Sequence, residues 1–328
     1  MTPHGAITGW GKYLPQRVLT NQDLAKMIDT SDEWIMARTG IKERRILGDY
    51  ESVSTMAAEA GRRALEVAEL PPSSLDLIIV ATTSPDKLDL ASASPVQNAL
   101  GAKKAGAFDV IAGCSGFIYA LVTAYQFIAA GAYKNILVVG SEAISRVVSW
   151  EDRNTCVLFG DGAGAVVVQA NELATDMLNF VMGSDGSGVS TLYVPSPYDK
   201  LSEVPEDGRY HLIMDGKEVY KFAVSAMAKV SRQAVAAVGL STSDIDLFIP
   251  HQANSRIIQA TAKALGIPSE KVFVNVDRYG NISAASVPVA LCEAAEEGRI
   301  KENDLVVLAA AGAGLSWGAI LFRWQPKP

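Results

Sequence analysis

One cysteine, one histidine and one asparagine each follow a strand-like run of this chain. Cys114 lies in DVIAGCSGF, His251 in DLFIPHQAN and Asn281 in VDRYGNISAASVP. A nucleophilic thiol and two side chains that donate hydrogen bonds to a developing negative charge form a sufficient set for acyl-thioester chemistry. These residue types therefore predict an enzyme of that kind.

Each of the three residues also has an ordinary structural explanation. The strand over 109–112 passes into a helical pattern at Cys114, so its sulfur is expected near a helix N-terminus, where the dipole favours a thiolate. Most free cysteines are nevertheless buried structural residues. His251 alone fits a hydrogen-bonded core histidine equally well, and Asn281 alone fits a turn or N-cap residue better. The combination of the three points to catalysis.

The bulk composition excludes several classes of protein. The chain has 328 residues, 49% of them hydrophobic and 20% charged, and its net charge of −7 argues against generic nucleic-acid binding. We expect no membrane span, because no apolar run is long enough, and no secretory signal in the N-terminal sequence. Three widely spaced cysteines predict reduced thiols in a cytoplasmic protein and no metal site. The glycine-rich strings at 160–164 and 312–314 precede strand patterns, so neither predicts a dinucleotide site.

Strand-length apolar runs alternate with helical patterns, which is typical of a layered α/β fold. The run at 75–80 reappears at 245–250, and the run at 134–140 reappears at 303–309. A looser pair joins Phe108–Ile111 to Phe273–Val276. This order predicts a duplication, with an N-terminal half at 1–172 and a C-terminal half at 173–328 packed as one unit. The turn-rich stretch at 183–216 is predicted to be a surface excursion that borders a site.

A series of segments in this order resembles the β-ketoacyl-acyl-carrier-protein synthase III enzymes of the thiolase superfamily. The segments are DEWIMARTGIKERR, DVIAGCSGFIYAL, DRNTCVLFGDGAGA, DGKEVYKFAV, IPHQANSRII, YGNISAASVP and GAGLSWG. The resemblance implies a duplicated five-layer α-β-α-β-α sandwich and a homodimer. It also implies decarboxylative condensation of an acyl-CoA starter with malonyl-acyl-carrier-protein. Coenzyme A then enters as a thioester substrate, and no metal or other cofactor is expected.

The same resemblance assigns roles to the catalytic residues. Cys114 would be the acylated nucleophile, and His251 and Asn281 would hold the malonyl thioester and stabilise its enolate. The backbone amides of Cys114 and Gly314 would bind the oxyanion of the acyl-transfer steps. These roles agree with the chemistry, because decarboxylation builds negative charge on the thioester oxygen.

Coenzyme A contacts also follow from the resemblance. Trp34 and Arg153 match the pair that encloses the adenine, through stacking and a cation–π contact. Arg38 matches a further coenzyme contact, and Asn254 in HQAN matches a pantetheine contact. Ordinary packing is the alternative explanation for Trp34 taken alone.

The segment after His251 carries basic residues on one helical face. Arg256 and Lys263 are separated by seven residues, and in the resembling family this face docks the acidic carrier protein. Solvated surface charge explains such residues equally well.

The starter chain and the pathway stay open at this stage. The resembling family places the residue that closes the partner's acyl pocket within DKLDLASASP, where Leu88, Asp89 or Leu90 could occupy that position. A papain-like protease shares the Cys-His-Asn order, but its nucleophile context and signal are missing here. A specialised starter-unit synthase or acyltransferase, and a non-catalytic scaffold partner, are the remaining alternatives.

Overall fold

A computed structural model describes residues 4–171, 177–196 and 210–325. Up to residue 171 the elements are β1 (His4–Tyr13), β2 (Arg17–Thr20), α1 (Asn21–Leu24), α2 (Asp32–Thr39), β3 (Glu43–Ile46), α3 (Val53–Val67), β4 (Leu77–Ala81), α4 (Ala93–Leu100), β5 (Gly106–Val110), α5 (Gly116–Ala129), β6 (Asn135–Ala143) and β7 (Asp161–Asn171). From residue 177 they are β8 (Met177–Ser184), β9 (Leu192–Tyr193), β10 (Ile213–Met214), α6 (Gly216–Ala236), β11 (Leu247–Pro250), α7 (Ser255–Leu265), α8 (Val276–Tyr279), α9 (Ser286–Glu296), β12 (Leu305–Gly312) and β13 (Ser316–Arg323).

The first sheet is built from strands of the N-terminal half in the order β1-β7-β6-β4-β5. Strand β4 is parallel to both β5 and β6, whereas β6 and β1 are antiparallel to β7. Every residue of β4 is buried, which is expected of a strand covered on both faces.

The second sheet repeats that arrangement with strands of the C-terminal half. Its order is β11-β12-β13-β8, with β11 parallel to β12 and antiparallel pairing between β12, β13 and β8. The predicted duplication is therefore confirmed in strand order and direction. The looser pair lies at equivalent positions, since Ala107 pairs with Ile78 of β4 and Val272 forms a bridge with Phe248 of β11, but the counterpart of β5 is reduced to that single bridge. The chain turns from there into α8, so no fifth strand forms at that place.

Helices separate and cover the two sheets. Helices α5 and α9 contact strands of both sheets, while α3 and α4 pack on the first sheet and α6 packs on the second, with α7 against it. The sequence of α5 is apolar on nearly all sides, as a helix enclosed between two layers requires. The predicted five-layer α-β-α-β-α sandwich is confirmed.

Each sheet draws its strands from one side of the boundary predicted at 172 and 173. That boundary falls in residues 172–176, outside the described part of the chain, so the division remains a prediction. One core cluster contains residues of both halves. Among the described residues, no helix combines the length and the apolar character needed to cross a bilayer.

Candidate active site

A cavity of about 780 Å³ lies where the two halves meet. Cys114, His251 and Asn281 all line it. Cys114 follows β5, and His251 follows β11. Asn281 follows α8, at the position of the C-terminal half that corresponds to Cys114 in the N-terminal half. The structure thus brings together three residues that are far apart in the sequence, because equivalent ends of the duplicated units face each other.

Cys114 sits in a tight turn, Gly113–Ser115, that leads into α5. Gly113 has φ of 55°, and a Cβ at that position would lie 2.6 Å from the backbone nitrogen of Ala313. The turn therefore needs glycine there. Burial raises the pKa of the Cys114 thiol to about 11. In the free protein, desolvation outweighs the helix-dipole effect predicted from the sequence, and the thiol stays protonated.

His251 is buried and forms one side-chain hydrogen bond that determines which ring nitrogen carries the proton. Its Nδ1 lies 2.6 Å from the hydroxyl oxygen of Ser286, which also accepts a weak hydrogen bond from the Gln252 amide at 3.4 Å. The Ser286 proton is therefore available to Nδ1, and Nε2 keeps the ring proton. Burial lowers the pKa of His251 from an ordinary value near 6.5 to about 3. The site contains a neutral imidazole that donates from Nε2.

The carboxamide of Asn281 is oriented by the chain that follows it. Its Oδ1 accepts a hydrogen bond from the Ser283 amide at 2.8 Å. Because a backbone amide can only donate, this contact identifies the oxygen and leaves Nδ2 as the donor on the cavity side. Backbone hydrogen bonds with Leu158 and Gly160 hold Asn281 against the other half. Asn281 and His251 can thus offer two donors to one developing oxyanion.

The turn between β12 and β13 packs against the backbone of Cys114. A Cβ on Gly312 would lie 2.3 Å from the Cys114 nitrogen, so only glycine permits this approach. The Ser316 hydroxyl bonds to the Ala112 carbonyl at 2.8 Å and ties the turn to the nucleophile segment. Gly314 lies in this turn, and its role as an oxyanion donor remains a prediction.

Trp34 on α2 carries two guanidinium groups over its ring. The distances from ring centroid to guanidinium carbon are 4.4 Å for Arg38 and 5.1 Å for Arg153. Arg153 also donates to the Asp29 carbonyl at 2.9 Å. Trp34 and Arg38 line the cavity, whereas Arg153 does not.

Helix α7 begins at the cavity and leads away from it. Asn254 is its N-cap, with Oδ1 accepting from the Ile257 amide at 2.9 Å. Arg256 is exposed and lines the cavity, while Lys263 is exposed on a later turn and does not line it. The predicted basic face exists, and only its first residue reaches the cavity.

The predicted excursion does border the cavity. Leu192 in β9 and Met214 in β10 line it, while residues 197–209 lie outside the described part of the chain. The residues proposed to close the partner's pocket lie on an exposed loop. The exposed fractions are 72% for Leu88 and 46% for Leu90, and Asp89 is exposed as well.

Sequence reasoning missed Ser283, Ser286 and Glu142. The two serines stand in NISAASVP, where they look like small helix-start residues, and Glu142 ends an apolar run without any distinguishing pattern. No group of three or more His, Cys, Asp or Glu side chains within the described ranges could hold a metal ion.

Comparisons with known proteins extend over nearly the whole chain. The family model of 3-oxoacyl-[acyl-carrier-protein] synthase III matches residues 108–186, and the model of its C-terminal part matches 235–324. The chain is 50% identical over 322 residues to the beta-ketoacyl-[acyl-carrier-protein] synthase III of Caldanaerobacter subterraneus subsp. tengcongensis, with 97% of each chain covered.

Solved structures agree with that similarity. The 3-oxoacyl-[acyl-carrier-protein] synthase III from Aquifex aeolicus VF5 matches with a TM-score of 0.91 at 50% identity, covering 98% of this chain and 100% of that chain. A priming β-ketosynthase from the R1128 polyketide biosynthetic pathway matches with a TM-score of 0.93 at 36% identity, covering 99% and 97%. The matched regions include all three cavity residues that the sequence singled out.

Proposed function

The chain belongs to the β-ketoacyl-[acyl-carrier-protein] synthase III family, and from that membership we propose that Cys114, His251 and Asn281 catalyse its condensation reaction. It is an acyl-transferring condensing enzyme that initiates fatty-acid synthesis. The observation that carries the residue assignment is the shared cavity, lined by one thiol and two oriented hydrogen-bond donors.

The first half-reaction loads the enzyme. The Cys114 sulfur attacks the thioester carbonyl of an acyl-CoA, a new sulfur–carbon bond forms, and coenzyme A leaves with the thiol proton. The tetrahedral intermediate carries negative charge on its oxygen, which the amides of Cys114 and Gly314 are proposed to bind. The glycine turn packed on the Cys114 nitrogen supports this assignment.

The second half-reaction generates a carbon nucleophile. Malonyl-acyl-carrier-protein loses carbon dioxide, and the electron pair of the broken carbon–carbon bond becomes an enolate. His251 Nε2 and Asn281 Nδ2 donate to the enolate oxygen, because their other polar atoms are held by Ser286 and Ser283.

Condensation completes the cycle. The enolate carbon attacks the acyl-Cys114 carbonyl, the sulfur leaves as a thiolate, and a proton from solvent restores the thiol. The products are 3-oxoacyl-acyl-carrier-protein, coenzyme A and carbon dioxide. These steps need a nucleophile and hydrogen-bond donors, so we propose that coenzyme A serves as a thioester substrate and that the enzyme uses no resident cofactor.

Coenzyme A is proposed to bind along the mouth of the cavity. Trp34 offers an aromatic face, and Arg38 and Arg153 offer cations for the adenine and the phosphates. Asn254 keeps its Nδ2 for the pantetheine arm while its oxygen caps α7.

The carrier protein is proposed to dock on the basic residues near the same mouth. Arg256 and Lys263 project from α7, and Arg256 lines the cavity together with Lys217 and Lys221 of α6. A cluster of exposed cations on a chain of net charge −7 suits an acidic partner.

We also propose that the enzyme is a homodimer joined along β5. This strand forms the edge of the first sheet, and the exposed fraction of Ile111, which follows it, is 75%. Unpaired edges and exposed apolar side chains favour association with a second copy. Leu88, Asp89 or Leu90 would then reach the partner's acyl cavity.

Similarity to a priming polyketide ketosynthase favours one alternative, a specialised starter-unit synthase. It would use the same residues and differ in the preferred starter or pathway. The retained Cys114 argues against a scaffold partner, and the duplicated fold argues against a papain-like protease. A cytoplasmic location remains part of the proposal and is supported by the three unpaired cysteines.

Intact-mass measurement after incubation with a panel of acyl-CoAs tests the proposal directly. We expect an acyl adduct on the wild type and none on Cys114→Ala, and the starter that loads fastest identifies the substrate. A folded wild-type protein that gains no acyl group from any member of the panel contradicts the loading step. Circular dichroism of both proteins controls for folding.

A further inference from the structure

Glu142 is a fully buried carboxylate at the end of β6, close to the catalytic cavity. Its Oε2 accepts hydrogen bonds from the Ser84 hydroxyl at 2.6 Å and the Thr83 amide at 3.0 Å. The Thr82 hydroxyl adds a longer contact at 3.3 Å. No charged partner neutralises Glu142 in the described part of the chain, so its environment is built from neutral donors.

The surrounding hydroxyl groups are oriented toward this carboxylate. Ser84 Oγ accepts from the Ala143 amide at 2.8 Å, and Thr82 Oγ1 accepts from the Ser84 amide at 3.2 Å. Each hydroxyl proton is therefore left for Glu142. Burial raises the pKa of Glu142, and these donors oppose that rise. The arrangement fits an ionised carboxylate held as an acceptor.

The other carboxylate oxygen reaches the catalytic asparagine through one residue. Oε1 accepts from the Ser283 hydroxyl at 2.9 Å, and Ser283 donates its backbone amide to Asn281 Oδ1 at 2.8 Å. Ser283 has φ of 47°, a left-handed conformation that a non-glycine residue adopts only when its surroundings hold it. The hydrogen bond to Glu142 helps to hold Ser283 in this conformation. Glu142 belongs to the opposite half and is 141 residues away in the sequence.

We propose that Glu142, acting through Ser283, is a positioning residue that aims the Asn281 carboxamide into the cavity. The inference rests on the proposed role of Asn281. Glu142 touches no reacting atom in this scheme. Removing its charge should harm enolate stabilisation, and it should also ease ionisation of Cys114, because a buried negative charge disfavours a nearby thiolate.

The charge of Glu142 also affects the pKa of the Cys114 thiol. Burial is the main cause that raises the pKa of the thiol, and the negative charge of Glu142 raises it further. His251 faces the same space and is neutral near pH 7, since burial lowers its pKa to about 3. The charged groups that line the outer part of the cavity are Arg38, Asp152, Lys217, Lys221 and Arg256. These outer groups are unchanged in every variant below.

The decisive variant is Glu142→Gln, which keeps the volume but removes the charge. We expect release of carbon dioxide from malonyl-acyl-carrier-protein to slow about tenfold or more, because a misplaced oxyanion donor loses much of its effect. In substrate-free enzyme, we expect the pH midpoint for alkylation of Cys114 by iodoacetamide to fall by roughly one unit. A loss of stability alone would not lower the pH midpoint for alkylation of Cys114 in protein that remains folded.

Asp161→Asn is the matched control. Asp161 is also fully buried and accepts from the Ser145 amide, the Ser145 hydroxyl and the Leu47 amide. We expect this variant to lose stability without a shift in the alkylation midpoint.

Ser283→Ala gives an independent measurement if Glu142→Gln does not fold. It removes the connecting hydroxyl and should slow decarboxylation by a similar factor. The double variant should be little slower than either single variant, since both remove one connected interaction.

The inference is overturned if the decarboxylation rate is unchanged in Ser283→Ala or in folded Glu142→Gln. It is also overturned if the pH midpoint for Cys114 alkylation stays the same or rises in Glu142→Gln. A wild-type enzyme that does not decarboxylate malonyl-acyl-carrier-protein contradicts the proposed function instead. The alkylation measurement uses no substrate and separates the two outcomes.

Discussion

At the scale of single residues, the hydroxyl of Ser286 determines which nitrogen of His251 carries the proton. It lies 2.6 Å from Nδ1 and leaves Nε2 as the donor toward the cavity. We expect Ser286→Ala to slow malonyl decarboxylation by at least about tenfold, because the imidazole can then adopt the other tautomer. Carbon dioxide release under single-turnover conditions measures this effect.

Ser231→Ala controls for the loss of a buried hydroxyl. Ser231 lies on α6, and its hydroxyl is buried with no partner among the described residues. Its removal should leave the rate of decarboxylation unchanged. Equal rates for Ser286→Ala and the wild type would show that the tautomer does not depend on Ser286.

His251 also links folding stability to pH. Its pKa falls from near 6.5 to about 3 on burial, so the unfolded chain binds more protons between these values and stability decreases as the pH falls through that window. Relative to His251→Asn, the wild type should lose about 1.4 kcal/mol of unfolding free energy per pH unit below pH 6. Urea unfolding at pH 6 and pH 5 measures the difference. Parallel pH dependences for the two proteins would contradict a buried neutral imidazole.

At the scale of elements, α7 connects the cavity to a basic surface. Lys263 is exposed and lies outside the cavity lining, so it can affect the carrier protein without touching the acyl-CoA. We expect Lys263→Glu to raise the KM for malonyl-acyl-carrier-protein about fivefold at low salt, with the effect shrinking as salt screens it. Steady-state kinetics at two ionic strengths measures both changes.

Lys229→Glu makes the same charge change on α6, where Lys229 is exposed and also outside the cavity lining. This control should leave the KM near the wild-type value. Acyl loading from acyl-CoA should be equal in all three proteins. If both variants raise the KM alike, the net charge of the enzyme matters and the α7 face does not.

At the scale of the whole molecule, the edge of the first sheet is where a second copy is expected to bind. Ile111 follows β5 and is largely exposed in the single chain. Ile111→Asp should yield monomers in light scattering and lose most condensation activity, because the acyl cavity would lack the partner's loop. Val274→Asp changes an exposed residue of the counterpart segment in the other half and should leave the oligomeric state unchanged. A dimeric Ile111→Asp protein would place the interface elsewhere.

Sequence patterns alone were enough to predict the layered fold and the duplication, and they singled out Cys114, His251 and Asn281, which the structure brings into one cavity. Apolar periodicity and short motifs are local, so they can be recognised wherever the chain later places them. A local pattern does not show how much pairing a segment makes: Phe273–Val276 takes the position that corresponds to Phe108–Ile111, yet the chain there forms only one bridge. Trp34 was singled out in the same way, and its proposed role stays a prediction, but the direct packing of two guanidinium groups on its ring was not anticipated.

The protonation states and the supporting contacts follow from the packing of the folded chain and could not be predicted from the sequence. Cys114 was expected to favour a thiolate because of its helix, yet burial between two sheets raises its pKa instead. Glu142 meets Ser283 only because the duplicated halves pack face to face. Desolvation and long-range hydrogen bonds depend on which parts of the chain pack against each other and exclude water. The order of residues in the sequence does not show which parts these are.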